Sequence, residues 1–327
     1  LNILLTSIGR RGYIVDFFRQ ALSGGDRLVV ANSVPDPPGA EAADASYTIP
    51  PASDPSFAAA LLKLAEEEEI DLLFSLHDWE APAIAAIKSD LAAIGTRAVV
   101  PDLDTALICL DKFRTFSWAE KHGIRTPRSW ISRDQALAGG QFPFIVKPRF
   151  GQGSVGLFKV DSKAELDAAL LLAAKTAQSF PRIEGIPQDA APLLISEWIE
   201  GIEIGIDVVN DFEGAYSGLL ANKKLVSRNG ETEVTTTLDP HPFEPIAKQI
   251  SSALGHPSIC DCDLIEREGE YYLIELNPRF GGLYPFAHHA GADVPSFLVR
   301  LQDGHRAPDL LRYRHNETFI KHFSFSK

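Results

Sequence analysis

The sequence predicts an α/β chain: a parallel sheet flanked by helices comes first, and a mixed α+β remainder ends on an acid-rich hairpin. Three observations carry this expectation. Over residues 1–100, short apolar runs alternate with helical patterns, which implies crossover connections and a parallel sheet with helices on both faces. After residue 125 the pattern turns β-rich, with a lysine-ended strand followed by a glycine-rich loop. Residues 263–282 read as two short strands turning at Gly269.

Composition removes several function classes. The chain has 327 residues, 45% hydrophobic and 23% charged, enough for two or three domains with proper cores. A net charge of −13 offers no basic stripe to displace counterions, so no nucleic-acid partner is expected. No apolar run approaches the roughly 20 residues of a membrane span, and no signal peptide is visible. Cys109, Cys260 and Cys262 do not make a disulfide framework, which fits a reducing cytoplasm. Cys260 and Cys262 alternate around Asp261 and suit buried strand positions better than a zinc site.

Taken in order, residues 1–7 form an apolar strand that runs into Gly9-Arg10-Arg11-Gly12. Helical spacing of Ile14, Phe17, Phe18 and Leu22 follows, then strands at 27–32 and 71–75. A helix over about 80–93 and a strand at 96–100 complete a Rossmann-like unit. A dinucleotide site is not expected. The first loop lacks G-x-G-x-x-G, and Asn32 stands where an acid should end the second strand. Arg10, ahead of Arg11, is the better candidate for an anion at the first helix N-terminus. Asp78 sits at the ligand edge of the sheet and is placed either to accept an ammonium group or to cap the next helix. Helix dominates from 101 to about 122, which sets a boundary near 105–112.

The strand at 142–147 ends in Lys147, and Gly151, Gly153, Ser154 and Gly156 then make a loop whose backbone amides can close over phosphates. No G-K-[ST] ends it, so it is not a Walker loop. Ser162 and Glu165 have the form of a capping box that opens a helix to about 177. A surface loop is expected over 181–191, and then an apolar strand enters Glu197, Trp198, Ile199, Glu200 and Glu203. Alternation persists to Val208, giving that strand one apolar face. Residues 222–232 form a polar segment with Lys223, Lys224 and Arg228, 235–237 read as a connector, and 246–254 as a helix. His288 and His289, adjacent on a helix, point apart and chelate poorly; one of them is expected near a substrate.

The hairpin is the densest signal. Glu275, Asn277 and Arg279 share one face of a strand, and Asp263 faces Glu275 from the neighbouring one. Two carboxylates and an amide oxygen are hard ligands suited to Mg²⁺, with Arg279 as a fork for phosphoryl or carboxylate oxygens.

With its acid twelve residues before Glu275, the string Glu275-Leu-Asn277-Pro-Arg279 resembles the metal-binding hairpin of ATP-grasp ligases, in particular stand-alone relatives of the carbamoyl phosphate synthetase large subunit. The resemblance implies a pre-ATP-grasp domain over 1–108, a small ATP-grasp lobe over 109–195 and a C-terminal lobe over 196–327. It places Asp263, Glu275 and Asn277 on magnesium (manganese being an alternative), with Asp261 a weaker first ligand. Lys112 and Lys147 would contact ATP phosphates, and the loop of Gly151, Gly153 and Ser154 would cover them. Backbone groups of Glu197, Trp198 and Ile199 would meet adenine, and Glu203 the ribose. Arg279, Arg228 and Lys224 would neutralise the transferring phosphoryl group, and Arg10 and Asp78 would hold substrate.

The activity so implied is ATP-dependent joining of a small carboxylate to an amine through an acyl phosphate. It needs no nucleophilic side chain, because positioning and charge neutralisation carry phosphoryl transfer. Arg10, Asp78 and Arg228 hint at an amino acid. Carboxyphosphate chemistry and a non-catalytic ATP sensor are the alternatives, and a homodimer is expected only from the general frequency of dimers.

Overall fold

The computed structural model describes residues 1–180, 190–228 and 230–322. From 181 to 189, the loop expected over 181–191 lies outside them. The N-terminal sheet contains β1 (Asn2–Thr6), β2 (Arg27–Asn32), β3 (Ala45–Thr48), β4 (Leu72–Ser75) and β5 (Arg97–Ala98), all parallel in the order β3-β2-β1-β4-β5. Side chains alternate between its two faces. Ile3, Leu5 and Phe74 meet α1 (Gly12–Ala21), whereas Leu4, Val29 and Leu73 meet α2 (Phe57–Glu67), α3 (Ala81–Ala86) and α4 (Lys88–Ala93). The single helix expected over 80–93 is two, because Ile87 leaves helical geometry at φ −110°, ψ 16°. Strand β3 was not legible, being short and mostly exposed.

Two helices, α5 (Leu103–Leu110) and α6 (Lys112–Lys121), lead into the second unit. Asp111 separates them, and its side chain accepts from the amides of Phe113 and Arg114 at the start of α6. Arg149 also grips Asp111 with two bonds of 2.6 and 2.7 Å, which anchors the beginning of the glycine-rich loop.

A small antiparallel sheet follows: β6 (Ser129–Trp130), β7 (Phe144–Pro148), β8 (Phe158–Val160) and β9 (Leu193–Glu197), in the order β6-β9-β7-β8. Two helices accompany it, α7 (Arg133–Gly139) and α8 (Lys163–Ala177), and Leu166, Ala169 and Ala173 of α8 share its core with Phe144, Val146 and Ile195. Ser162 caps α8 by accepting from the Glu165 amide, while Glu165 reaches back to the Asp161 amide rather than to that of Ser162.

The largest sheet contains β10 (Ile202–Asn210), β11 (Tyr216–Arg228), β12 (Glu231–Thr237), β13 (Ile259–Arg267), β14 (Glu270–Asn277) and β15 (Thr318–Ile320), in the order β14-β13-β10-β11-β12-β15. Its apolar face, including Ile206, Val208, Cys260 and Cys262, packs on α6 and on α9 (Glu244–Leu254). The expected connector at 235–237 belongs to β12. Its alternate threonines are buried, and Thr235 and Thr237 donate to the carbonyls of Lys223 and Arg314.

After the hairpin, α10 (Tyr284–Ala290) and α11 (Val294–Gln302) return to the first domain. Tyr284 and Phe297 are buried in one core with Ile3, Phe17 and Phe74, and Phe280 lies edge-on to Phe18 at 5.6 Å. The C-terminal segment therefore covers one face of the N-terminal sheet. This brings residues 278–283 against the ends of β1 and β4.

Candidate active site

A cavity of about 330 Å³ lies between the glycine-rich loop and the β13–β14 hairpin. Lys112, Lys147, Lys224, Glu203, Asp263 and Glu275 line it, together with the loop from Gly151 to Val155. The loop gets its shape from left-handed residues: Gly153, Ser154 and Gly156 have φ of 59°, 58° and 76°. Lys112 donates to the Gly151 carbonyl and pairs with Glu275 at 2.8 Å. Lys147 is 7% exposed and sits over the Phe116 ring at 5.2 Å. Burial and the neighbouring Lys112 lower its pKa to about 8, partly offset by Glu275 and Asp263.

Strand register puts Asp263 opposite Glu275, as expected for the hairpin. The carboxylates come from different strands, and each holds an ammonium group: Lys224 reaches Asp263 at 2.6 Å and Lys112 reaches Glu275. Burial would lower the Lys224 pKa, but the adjacent Asp263 outweighs it and raises it. Two hard oxygen donors around positions already held by cations fit a Mg²⁺ that keeps waters and borrows phosphate oxygens. They do not form a complete protein cage, and among the described residues no group of three or more His, Cys, Asp or Glu is arranged to hold a metal.

Asp261 and Asn277 are opposite each other one row away, joined by a 3.5 Å hydrogen bond, and neither lines the cavity. Arg279 is also withdrawn. It donates to Asp78 at 2.9 and 3.2 Å and to Asp261 at 3.0 Å, so its fork is occupied by protein carboxylates. Burial opposes the Arg279 charge, but Asp78 and Asp261 outweigh it and raise its pKa. Asp78 responds in the opposite sense: burial raises its pKa, and Arg279 brings it below the ordinary value. Burial and Asp263 push Asp261 up to about 6 against the pull of Arg279.

Asp207 completes this buried group. It pairs in register with Asp261, both its oxygens lack a hydrogen-bond partner, and burial with Asp261 beside it holds its carboxyl well above the carboxylate range. Its signal was present in the sequence, since Asp207 is in phase with Glu203 on the polar side of an otherwise apolar strand.

At the end of β9, the Glu197 and Trp198 amides donate to the carbonyls of Arg128 and Pro143. Ile199 is buried, and the Trp198 ring lies under Lys159 at 4.6 Å. Of the predicted residues on this strand and the next, Glu203 is the one whose side chain lines the cavity.

Several expected roles change. Arg10, not Arg11, is the exposed arginine: its side chain is 79% accessible and pairs with Glu231 at 2.6 Å. Arg11 is turned inward, donating to the Leu76 and Phe280 carbonyls, because α10 and the hairpin end close over its loop. Arg228 is 74% exposed and pairs with Glu233 at 3.1 Å, outside the cavity lining. Asp78 neither caps the next helix, which begins after Glu80, nor stands free for an ammonium group; Arg279 occupies it. His288 stacks on Phe17 at 3.6 Å and accepts or donates at Tyr284 Oη over 2.9 Å, a packing role.

With this geometry in place, family comparison is direct. An ATP-grasp domain model matches residues 109–283, and a PylC-like N-terminal domain model matches 3–100. The chain belongs to the ATP-grasp family, and with it to the ATP-dependent C–N ligases. It is 27% identical over 263 residues to the vancomycin/teicoplanin A-type resistance protein VanA of Enterococcus faecium, covering 72% of this chain and 73% of that protein. It is 25% identical over 266 residues to a D-alanine–D-alanine ligase of Francisella philomiragia, covering 73% and 81%. Biotin carboxylase from Campylobacter jejuni shares the fold, with a TM-score of 0.75 at 17% identity over 97% of this chain and 74% of that one. No helix among the described residues is long and apolar enough to cross a membrane.

Proposed function

We propose that this chain uses Mg-ATP to join a small carboxylate to an amine, forming an amide by way of an acyl phosphate. The observation that carries the reading is the facing pair Asp263 and Glu275 under the glycine-rich loop, surrounded by Lys112, Lys147 and Lys224. Magnesium, held by Asp263 and Glu275, would neutralise phosphate charge and orient the phosphoryl group. In this reading Lys112 and Lys147 bind phosphate oxygens, Gly151, Gly153 and Ser154 cover them, and Glu203 accepts from ribose hydroxyls. Glu197 to Ile199 border adenine. Lys224, next to Asp263, is the cation closest to the reacting phosphoryl group, whereas Arg279 is a positioning residue that fixes the hairpin against the first domain.

The balanced sequence is simple. A substrate carboxylate oxygen bonds to the γ-phosphorus of ATP as the bond to ADP breaks, and the amine then bonds to the acyl carbon as phosphate leaves. Water has to be excluded between the steps, which gives the loop its purpose. The working division is a substrate-side domain over 1–108, a small lobe over 109–195 and a C-terminal lobe over 196–327. The identity to a D-alanine–D-alanine ligase supports amide formation between amino-acid-like substrates. The likeness to biotin carboxylase extends to fold alone, so carboxyphosphate chemistry ranks below it.

The test is ADP release with Mg-ATP and amino acids, singly and in pairs, beside Glu275→Ala. Release that needs a carboxylate–amine pair and vanishes in the variant supports the reading. Release that persists in Glu275→Ala, or that needs bicarbonate instead of an amine pair, sinks it.

A further inference from the structure

A second and larger cavity, about 740 Å³, opens at the carboxyl ends of β1, β2 and β4. This is the edge where parallel sheets bind ligands. Its wall is mainly apolar, with Val34, Pro51, Trp79, Pro82, Leu103 and Phe180, and the Trp79 and Phe180 rings stack at 5.6 Å. Two polar groups interrupt that wall. Asn32, 4% exposed, accepts from the Gly9 amide through Oδ1, and its buried Nδ2 has no hydrogen-bond partner. Glu80, 5% exposed, accepts from the hydroxyls of Thr6, Ser7 and Ser75 at 2.5, 2.6 and 2.7 Å. Its one titratable neighbour in the lining is His77, whose charged form burial disfavours more than Glu80 supports it. Ser7 adopts φ 51° where its hydroxyl meets Glu80, a left-handed geometry that costs a non-glycine residue energy.

A buried carboxylate whose hydrogen bonds all come from hydroxyls, beside an imidazole that burial keeps from charging, is short of a counter-ion, and an amide donor without an acceptor is short of an oxygen. A ligand that supplied both, on a body able to fill an apolar wall, would satisfy the whole lining. We propose that this cavity binds an amino acid with a large apolar or aromatic side chain, its ammonium on Glu80 and a carboxylate oxygen on the Asn32 amide. Gln152 borders both cavities and approaches His77 Nε2 at 3.4 Å, so the glycine-rich loop connects this site to the nucleotide side. That the bound amino acid is a ligation substrate rests on the proposed function; that it binds does not.

The experiment is calorimetric titration of the full chain, without nucleotide, with each enantiomer of phenylalanine, with alanine of the same hand and with 3-phenylpropionate. At least one phenylalanine enantiomer is expected to bind, with alanine and 3-phenylpropionate each weaker by tenfold or more. Glu80→Gln removes the charge and should weaken phenylalanine by tenfold or more. Because that variant loses a buried acceptor, Val34→Trp at the exposed rim provides a second test that spares the core, and it too should weaken binding several-fold. The proposal is overturned if neither enantiomer binds, if 3-phenylpropionate binds as well as phenylalanine, or if a folded Glu80→Gln variant binds like the parent. ADP release measured separately keeps the two readings apart. Binding without turnover for any pair removes the ligase reading and leaves this site, while turnover with unchanged binding in both variants does the reverse.

Discussion

Arg279 and Asp78 lie 201 residues apart in the chain and meet at 2.9 Å, with Asp261 on the other side of the same guanidinium at 3.0 Å. This buried acid–arginine–acid bridge joins the end of the β13–β14 hairpin to the carboxyl edge of the first sheet. It ties the hairpin that lines the 330 Å³ cavity to the N-terminal domain.

Arg279→Ala removes the cation hydrogen-bonded to the buried carboxylates of Asp78 and Asp261 and leaves only the more distant Arg11 and Lys224 to offset them. Breaking one side of such a group costs about 3–5 kcal/mol. Denaturant unfolding is expected to show a loss of that size, together with reduced ADP release. An unchanged midpoint would show that the bridge contributes little.

Glu275→Ala removes one oxygen donor of the facing pair and leaves Lys112 with the Gly151 carbonyl but no carboxylate. Losing a preorganised electrostatic group of this kind lowers turnover by ~10²–10³-fold. A coupled ADP assay should show that loss, whereas ADP binding without magnesium should change far less.

Gly230 has φ 75°, and a side-chain carbon there would overlap the Gly153 carbonyl in the glycine-rich loop. Gly230→Ala should cost about 1–2 kcal/mol from the left-handed backbone. The displaced loop should weaken ADP binding several-fold, which fluorescence titration would detect.

Lys147 titrates near pH 8, because burial and Lys112 disfavour its charge. Phosphate binding favours the ammonium form, so ADP affinity should fall as pH rises above about 8, by at most about tenfold per pH unit for one proton. Between pH 8 and its ordinary value the unfolded chain holds this proton more tightly, so the Lys147 contribution to stability improves with rising pH. The loss of affinity is therefore not unfolding driven by this group. Lys147→Arg should flatten the profile.

His256 is fully buried, and burial lowers its pKa to about 4, with the Val208 carbonyl 3.1 Å from Nε2 opposing the shift only in part. The unfolded chain takes up this proton first. Stability from this residue is therefore present above its ordinary value near 6.5 and is lost as pH falls toward 4, by about 3 kcal/mol. Thermal unfolding across pH 4–7 should show the slope, and His256→Gln should reduce it.

Local sequence determined a good deal. Unbroken apolar runs marked β1, β2 and β4 as buried parallel strands, and the glycine-marked turn at 268–269 set the register that places Asp263 opposite Glu275. The lysine before the glycine loop and the acid pair are short-range patterns, so their meeting around one cavity followed once the family fold was assumed. Tertiary packing decided the rest. Arg10 and Arg11 are neighbours with the same chemistry, and only the closure of α10 and the hairpin end over the first sheet turns one inward and leaves the other in solvent. Asp78 had an ordinary local use as a helix cap, yet a guanidinium 201 residues away claims it, because a buried opposite charge outweighs a cap that water can replace. Glu80 and Asn32 carry no motif at all. The unpartnered Asn32 amide and the Glu80 carboxylate held by hydroxyls gain meaning only from the apolar cavity that distant loops build around them.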